Sequence, residues 1–183
     1  MMKKLLLSLF ALVFVVTGCS FSDMMNTPTK RVEEFLGKYQ TMDSEVLRQL
    51  DDTINKDTTM SEDTKKDYKD VMKKQYQNLM YKIKDETVDG DHATVQVEIE
   101  VFDFDKASQA ADAYLDLHRD EFQKEDQSID YDKFMQYKIK QMKDTKDKVK
   151  YTLDFTLTKK DSKWVLDDIT DTMREKIHGI YHE

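Results

Sequence analysis

Few side chains in this 183-residue chain carry reactive chemistry: one Cys, Cys19, and four His, at positions 92, 118, 178 and 182. His118 follows Tyr114 by four residues, so on a helix the imidazole and the phenol share one face, where they could act as general base and acid. Tyr151 is the one hydroxyl in a strictly alternating apolar run from Val149 to Leu157. His178 and His182 repeat the i, i+4 spacing that can hold zinc on a helix, but Gly179 and Tyr181 lie between them, and accidental spacing is the stronger reading. Gly-x-Ser-x-Gly, Walker and Gly-x-Gly-x-x-Gly patterns are absent, and four glycines could hardly supply them. Asp89-Gly90-Asp91 lacks the twelve-residue pattern ending in Glu that a calcium loop requires. These counts lead us to expect no catalytic set, metal site or cofactor; Tyr114, His118 and Tyr151 are the candidate ligand-binding residues.

The amino terminus carries the strongest signal. Residues 1–19 read MMKKLLLSLFALVFVVTGC: two lysines, a twelve-residue apolar stretch from Leu5 to Val16, then small residues. Twelve residues fall short of the roughly 20 that span a hydrocarbon core, and the order is that of an export signal. Val16-Thr17-Gly18-Cys19 resembles the bacterial lipobox. That resemblance implies cleavage after Gly18 and a diacylglycerol thioether on Cys19, which would anchor the protein at the extracytoplasmic face of the cell membrane. The alternative is an ordinary thiol behind an uncleaved anchor or a plain secretory signal. A lone Cys at the end of the apolar run, with neither a disulfide partner nor zinc-site companions, speaks against it. The Lys- and Asp-rich, Gly-poor composition points to a Gram-positive cell surface.

Charge fits a tethered domain. The whole chain is formally -8; without Lys3 and Lys4, 27 basic residues face 37 acidic ones and the exported part carries -10. Nucleic acid is therefore excluded as a partner, since its phosphates call for a basic face. Lysines and tyrosines mix in residues 65–84 and 133–150, but with Asp among them, so these stretches read as solvated faces. A mean hydropathy of -0.75 excludes a multi-span membrane protein, and 10% aromatic residues argue against disorder.

The elements that must position these side chains follow from periodicity. Residues 1–18 form the signal, 19–26 a lipidated tether reaching at most roughly 25 Å, and 27–183 a single domain. Thr27-Pro28 starts a helix bearing Val32, Phe35, Leu36 and Tyr39 on one stripe. A second helix is expected from Asp43 or Ser44, and a third from Ser61 carrying Tyr68, Val71, Met72 and Leu79. Asp89-Gly90 predicts a hairpin turn into a half-buried strand with Ala93, Val95, Val97, Ile99 and Val101 inward and Glu98 and Glu100 outward. Asp105 is the expected cap of a helix bearing Ala107, Ala110, Ala111, Tyr114 and Leu117; another follows with Tyr131, Phe134, Met135 and Met142. Lys160-Asp161-Ser162 turns the next strand into Trp164–Ile169, and a short helix closes the chain over Thr172–Ile180. The sum is an α+β domain: amino-terminal helices on a bent, mainly antiparallel four-stranded sheet, with a helical insertion between two hairpins.

Two segments, PTKRVEEFLGKYQTMDSEVLRQL from Pro28 to Leu50 and KDSKWVLDDI from Lys160 to Ile169, resemble small exported lipoproteins of unknown function. Those lipoproteins have the cone-shaped, cystatin-like fold of nuclear transport factor 2 and ketosteroid isomerase. The resemblance implies helices against the inner face of a bent sheet, around a hollow that holds a ligand in some members. Two functions are then open. One is a ligand-binding or protein-interaction module for an apolar small molecule, a peptide or a protein. The other is a small isomerase- or dehydratase-like enzyme using Tyr114, His118 or Tyr151. An acid–base pair within hydrogen-bond reach in a closed hollow would favour the enzyme.

Overall fold

The computed structural model describes residues 26–182; the signal segment, Cys19 and the rest of the expected tether lie outside the described residues. The chain runs α1 (Pro28–Gln40), α2 (Ser44–Asn55), α3 (Glu62–Gln77), β1 (Met80–Asp89), β2 (His92–Phe102), α4 (Phe104–Leu117), a 3-10 turn (Arg119–Phe122), α5 (Tyr131–Asp144), β3 (Lys148–Lys160), β4 (Lys163–Leu166) and α6 (Asp171–His178). The four strands form one sheet in the order β1-β2-β3-β4, every pair antiparallel. This is the α+β architecture expected, with α4 and α5 as the insertion between the hairpins.

Side-chain caps set the helix starts. Thr27 accepts from the Lys30 amide with Pro28 in the first turn, Asp43 from Glu45, and Ser61 from Thr64. At α4 the cap is Asp103 rather than the expected Asp105, because Asp103 accepts from Lys106 and lets Phe104 enter the helix and the core. That shifts the buried face of α4 to Phe104, Ala107 and Ala111, leaving Ala110 and Leu117 in solvent. Tyr131, expected on the buried stripe of α5, is also exposed.

Alternation along β2 buries Ala93, Val95, Val97, Ile99 and Val101, which pair with Leu157, Phe155, Leu153, Tyr151 and Val149 of β3. A bulge between Ile83 and Asp85 re-phases β1. Tyr81 and Ile83 sit opposite inward residues before it, and Glu86 and Val88 do so after it. Glu86 therefore reaches the start of α1, where its carboxylate accepts from the Thr29 amide at 3.0 Å, at the positive end of that helix. On the wet face Glu98 lies 3.6 Å from Lys84 and 3.4 Å from Lys150, exposed pairs worth little to stability.

α1 crosses the inner face of the sheet against β4, β2 and β1, and α3 packs on α1, α2, α5 and α6. Val32 and Leu36 of α1 belong to one buried cluster with Val95, Val97, Ile99 and Leu157, none of them exposed, so the layer is filled at these residues, where the family resemblance implied a hollow. A smaller cluster of Ala111, Phe122 and Phe134 holds the insertion together. All core residues of both clusters fall between Val32 and Ile177. No described helix is long and apolar enough to cross a membrane.

Gln75 ties the far end of the domain. It is fully buried; its Nε2 donates to the carbonyls of Phe102 and His178, each at 2.9 Å, while its Oε1 accepts from the Phe102 amide at 2.9 Å. One side chain thereby fixes the ends of α3, β2 and α6 together, and satisfies three backbone groups.

Candidate functional site

One opening among the described residues lies between helices. Tyr68, Met72 and Tyr76 form one stripe along α3 at spacings of four, and Val46, Gln49, Leu50 and Thr53 face them from α2. Tyr39 in the last turn of α1, Arg174 and His178 of α6, and Ile180 beyond it complete a cleft of about 470 Å³. An ion pair between Lys69 of α3 and Asp51 of α2 closes one flank. The wall mixes apolar and aromatic side chains with the polar ones of Arg48, Gln49, Asp52, Thr53, Lys56 and Arg174, and the volume is that of small-molecule sites.

Its deepest part is a ring cluster. Tyr39 packs edge-on against Tyr76 at 5.1 Å between centroids, and the His178 ring is 5.5 Å from Tyr76. The Tyr76 hydroxyl lies 3.2 Å from His178 Nε2. We assign the shared proton to Tyr76, since the phenol has no other acceptor among the described residues; Nε2 then accepts, and the ring proton sits on Nδ1, which has no partner among them. Burial, aided by the nearby Arg174 charge, pushes His178 down to about 4, so the imidazole is neutral. Burial holds the phenols of Tyr76, Tyr39 and Tyr68 above their ordinary value, with Arg174 partly offsetting this at Tyr39.

Cations stand at the rim. Arg48 is taken up by Glu45 at 2.6 Å and by Asp52, the one carboxylate among the lining residues, at 2.7 Å. Arg174 pairs with Asp171 at 2.6 Å, and the Asp171 side chain is 95% exposed.

The residues singled out from sequence lie elsewhere. Tyr114 and His118 do meet, their rings stacked at 4.1 Å, with Tyr137 stacked on Tyr114 at 4.8 Å. That stack belongs to the outer surface of the insertion, where the Tyr114 hydroxyl donates to Glu121 at 3.0 Å. Tyr151 is half-buried on the sheet, its ring edge-on to Tyr181 at 5.9 Å. His178 and His182 do not share a helix, because Gly179 in the left-handed conformation ends α6 between them; His182 turns to Asp105 and Gln109 instead. Among the described residues, no three His, Cys, Asp or Glu side chains gather to hold a metal ion.

Comparison with protein-family profiles, curated proteins and solved structures finds no match to this chain. The reading of the cleft therefore stands on its own chemistry. Sequence reasoning assigned Tyr39 and Tyr68 to the core and missed Tyr76 and its pairing with His178. The signal available was the spacing of four that links Tyr68, Met72 and Tyr76; nothing local pointed to His178, 102 positions away.

Proposed function

We propose that this chain is a lipid-anchored extracytoplasmic protein, tethered through Cys19, whose domain binds a small amphipathic molecule in the cleft between α1, α2, α3 and α6. The observation that carries the binding reading is a cleft of about 470 Å³ lined in part by aromatic and apolar side chains, Tyr39 and Tyr68 among them, whose hydroxyls have no hydrogen-bond partner among the described residues. Tyr39 is only 5% exposed, so its hydroxyl is held in place and unspent. An acid–base pair within hydrogen-bond reach is present, Tyr76 with His178 rather than the expected Tyr114, His118 or Tyr151, but burial has moved the pKa values of the two groups away from neutral pH in opposite directions. A general acid or base works best with a pKa near the working pH, so the pair suits orientation better than proton transfer.

The anchor reading rests on the lipobox-like Val16–Cys19 segment, and the likeness to the nuclear-transport-factor-2-like lipoproteins on Pro28–Leu50 and Lys160–Ile169. The position of Asn26 agrees with a binding site open to the outside. Its side chain donates to the Ser162 carbonyl at 3.0 Å and accepts from the Trp164 amide at 3.1 Å, pinning the arriving chain to the β3–β4 turn. From there α1 rises about 17 Å to Tyr39, so the cleft lies at the other end of that helix from Asn26.

Two measurements test these readings separately. Cys19→Ala should abolish palmitate labelling and release the protein from membranes; unchanged labelling refutes the anchor. Native mass spectrometry of the exported chain from its own host should show a bound small molecule that Met72→Trp, which fills the cleft, displaces. Retention of that molecule by the variant refutes the cleft as its site.

A further inference from the structure

One end of the cleft offers donors only. Tyr39, Arg174 and His178 all line it, with the Tyr39 and His178 rings 6.5 Å apart, and the Arg174 charge lowers the pKa of both. The Tyr39 hydroxyl has no protein partner, and with Nε2 of His178 occupied by Tyr76 its Nδ1 carries a proton that is likewise unspent. Asp52, the one carboxylate lining the cleft, is engaged by Arg48, and Asp171 holds Arg174 from solvent, where water and a competing anion can replace it; Asp167 and Asp168 lie on the other side of Tyr39 and Arg174, where Asp167 accepts from Thr158. Beyond the donors Val46, Leu50, Met72 and Ile180 give the wall an apolar strip, with the polar side chains of Arg48, Gln49, Thr53 and Lys56 along its α2 side. A full positive charge beside two neutral donors, next to an apolar strip, complements a single negative charge on an oxygen acid followed by a hydrocarbon body.

We infer that the cleft binds an amphipathic carboxylate, its headgroup against Arg174, Tyr39 and His178 and its apolar body along Met72 and Leu50. This deepens the binding function proposed above and rests on it. A carboxylate there accepts from Arg174 in place of Asp171 and from two donors that the fold leaves idle. An alcohol of the same length keeps the burial but loses the charge-assisted bonds. An alkylammonium would set its charge against Arg174.

The test is a chemical-shift titration of the exported chain, residues 20–183, which contains the whole core, with octanoate, octan-1-ol and octyltrimethylammonium. Octanoate should saturate, shifting the Met72, Leu50 and Val46 methyl signals, and bind about tenfold more tightly than either other probe. Arg174→Gln should remove most of that advantage and Tyr39→Phe part of it. Both variants should keep the wild-type thermal midpoint within a few degrees, since Arg174 is half exposed and Phe preserves the Tyr39 ring. Octan-1-ol binding as tightly as octanoate, tighter binding of the cation, or an octanoate affinity unmoved by Arg174→Gln would overturn the carboxylate while leaving the cleft a binding site. Failure of all three probes to move the cleft methyls would overturn both.

Discussion

The Tyr76 hydroxyl and Nε2 of His178, groups from helices 102 positions apart in sequence, meet at 3.2 Å with their rings 5.5 Å apart. The contact joins the end of α3 to the end of α6, and Gln75, the residue before Tyr76, bonds the His178 carbonyl at 2.9 Å. Side chain and backbone of His178 are thus held by consecutive residues of α3, which is why the floor of the cleft is rigid while its rim is charged and exposed.

Stability should depend on pH through His178. Its pKa is about 4 in the fold against about 6.5 for an unfolded histidine. Between those values the unfolded chain takes up a proton that the folded one refuses, so the stability present above pH about 6.5 falls by about 3 kcal/mol as the pH descends to about 4. Urea unfolding at pH about 7, 5.5 and 4.5 measures this. His178→Gln should have a shallower slope over the same interval, and equal slopes would show that the histidine is not the sensor.

Glycine substitutions should separate by conformation. Gly179 sits at φ +71°, and a Cβ there would collide with the Gln75 amide and the Phe102 carbonyl. Gly179→Ala should cost more than about 2 kcal/mol, from left-handed strain plus the break-up of the Gln75 bonds. Gly37, inside α1 with open space around it, should respond oppositely, with Gly37→Ala stabilising by about 0.5–1 kcal/mol. Denaturation midpoints of the two variants give the signs.

Gln75→Leu keeps the volume but orphans the Phe102 amide and the carbonyls of Phe102 and His178. A loss of about 3 kcal/mol is expected, since each buried unsatisfied group costs about 1–3 kcal/mol and some reach water. Amide hydrogen exchange at Phe102 should speed up with it. Protection equal to wild type would mean that the amide has found another acceptor.

Tyr114→Phe and His118→Ala should leave ligand binding at the cleft unchanged and move stability by no more than about 1 kcal/mol, because the Tyr114–His118 stack lies on the solvent side of the insertion. Octanoate titration and thermal unfolding of both variants check this; a loss of affinity would relocate the site to the insertion.

Short-range chemistry was readable from sequence. Thr27, Asp43 and Ser61 announce their helices because an N-cap bond reaches only two or three residues ahead. The alternation from Ala93 to Val101 marks the buried face of β2 because side chains on a strand alternate sides whatever lies beneath them. The same local rules misplaced the start of α4, where Asp103 and Asp105 offer equivalent caps and only the fit of Phe104 into the core decides between them.

The site was not readable in this way. Tyr114 and His118 looked like a functional pair because four residues on a helix guarantee adjacency, but adjacency says nothing about which side of the domain they face. Tyr39, Tyr76, Arg174 and His178 come from three helices, and their convergence depends on how α1 crosses the sheet, on the Gln75 bonds that draw α6 to α3, and on Gly179 ending α6 before His182. Local pattern along the chain was enough for the helices, the sheet and the resemblance at Cys19 to a lipid attachment site. The tertiary structure alone filled the layer over the sheet and opened the cleft between helices instead, because packing is decided by the shapes of side chains far apart in the chain, which no local period records.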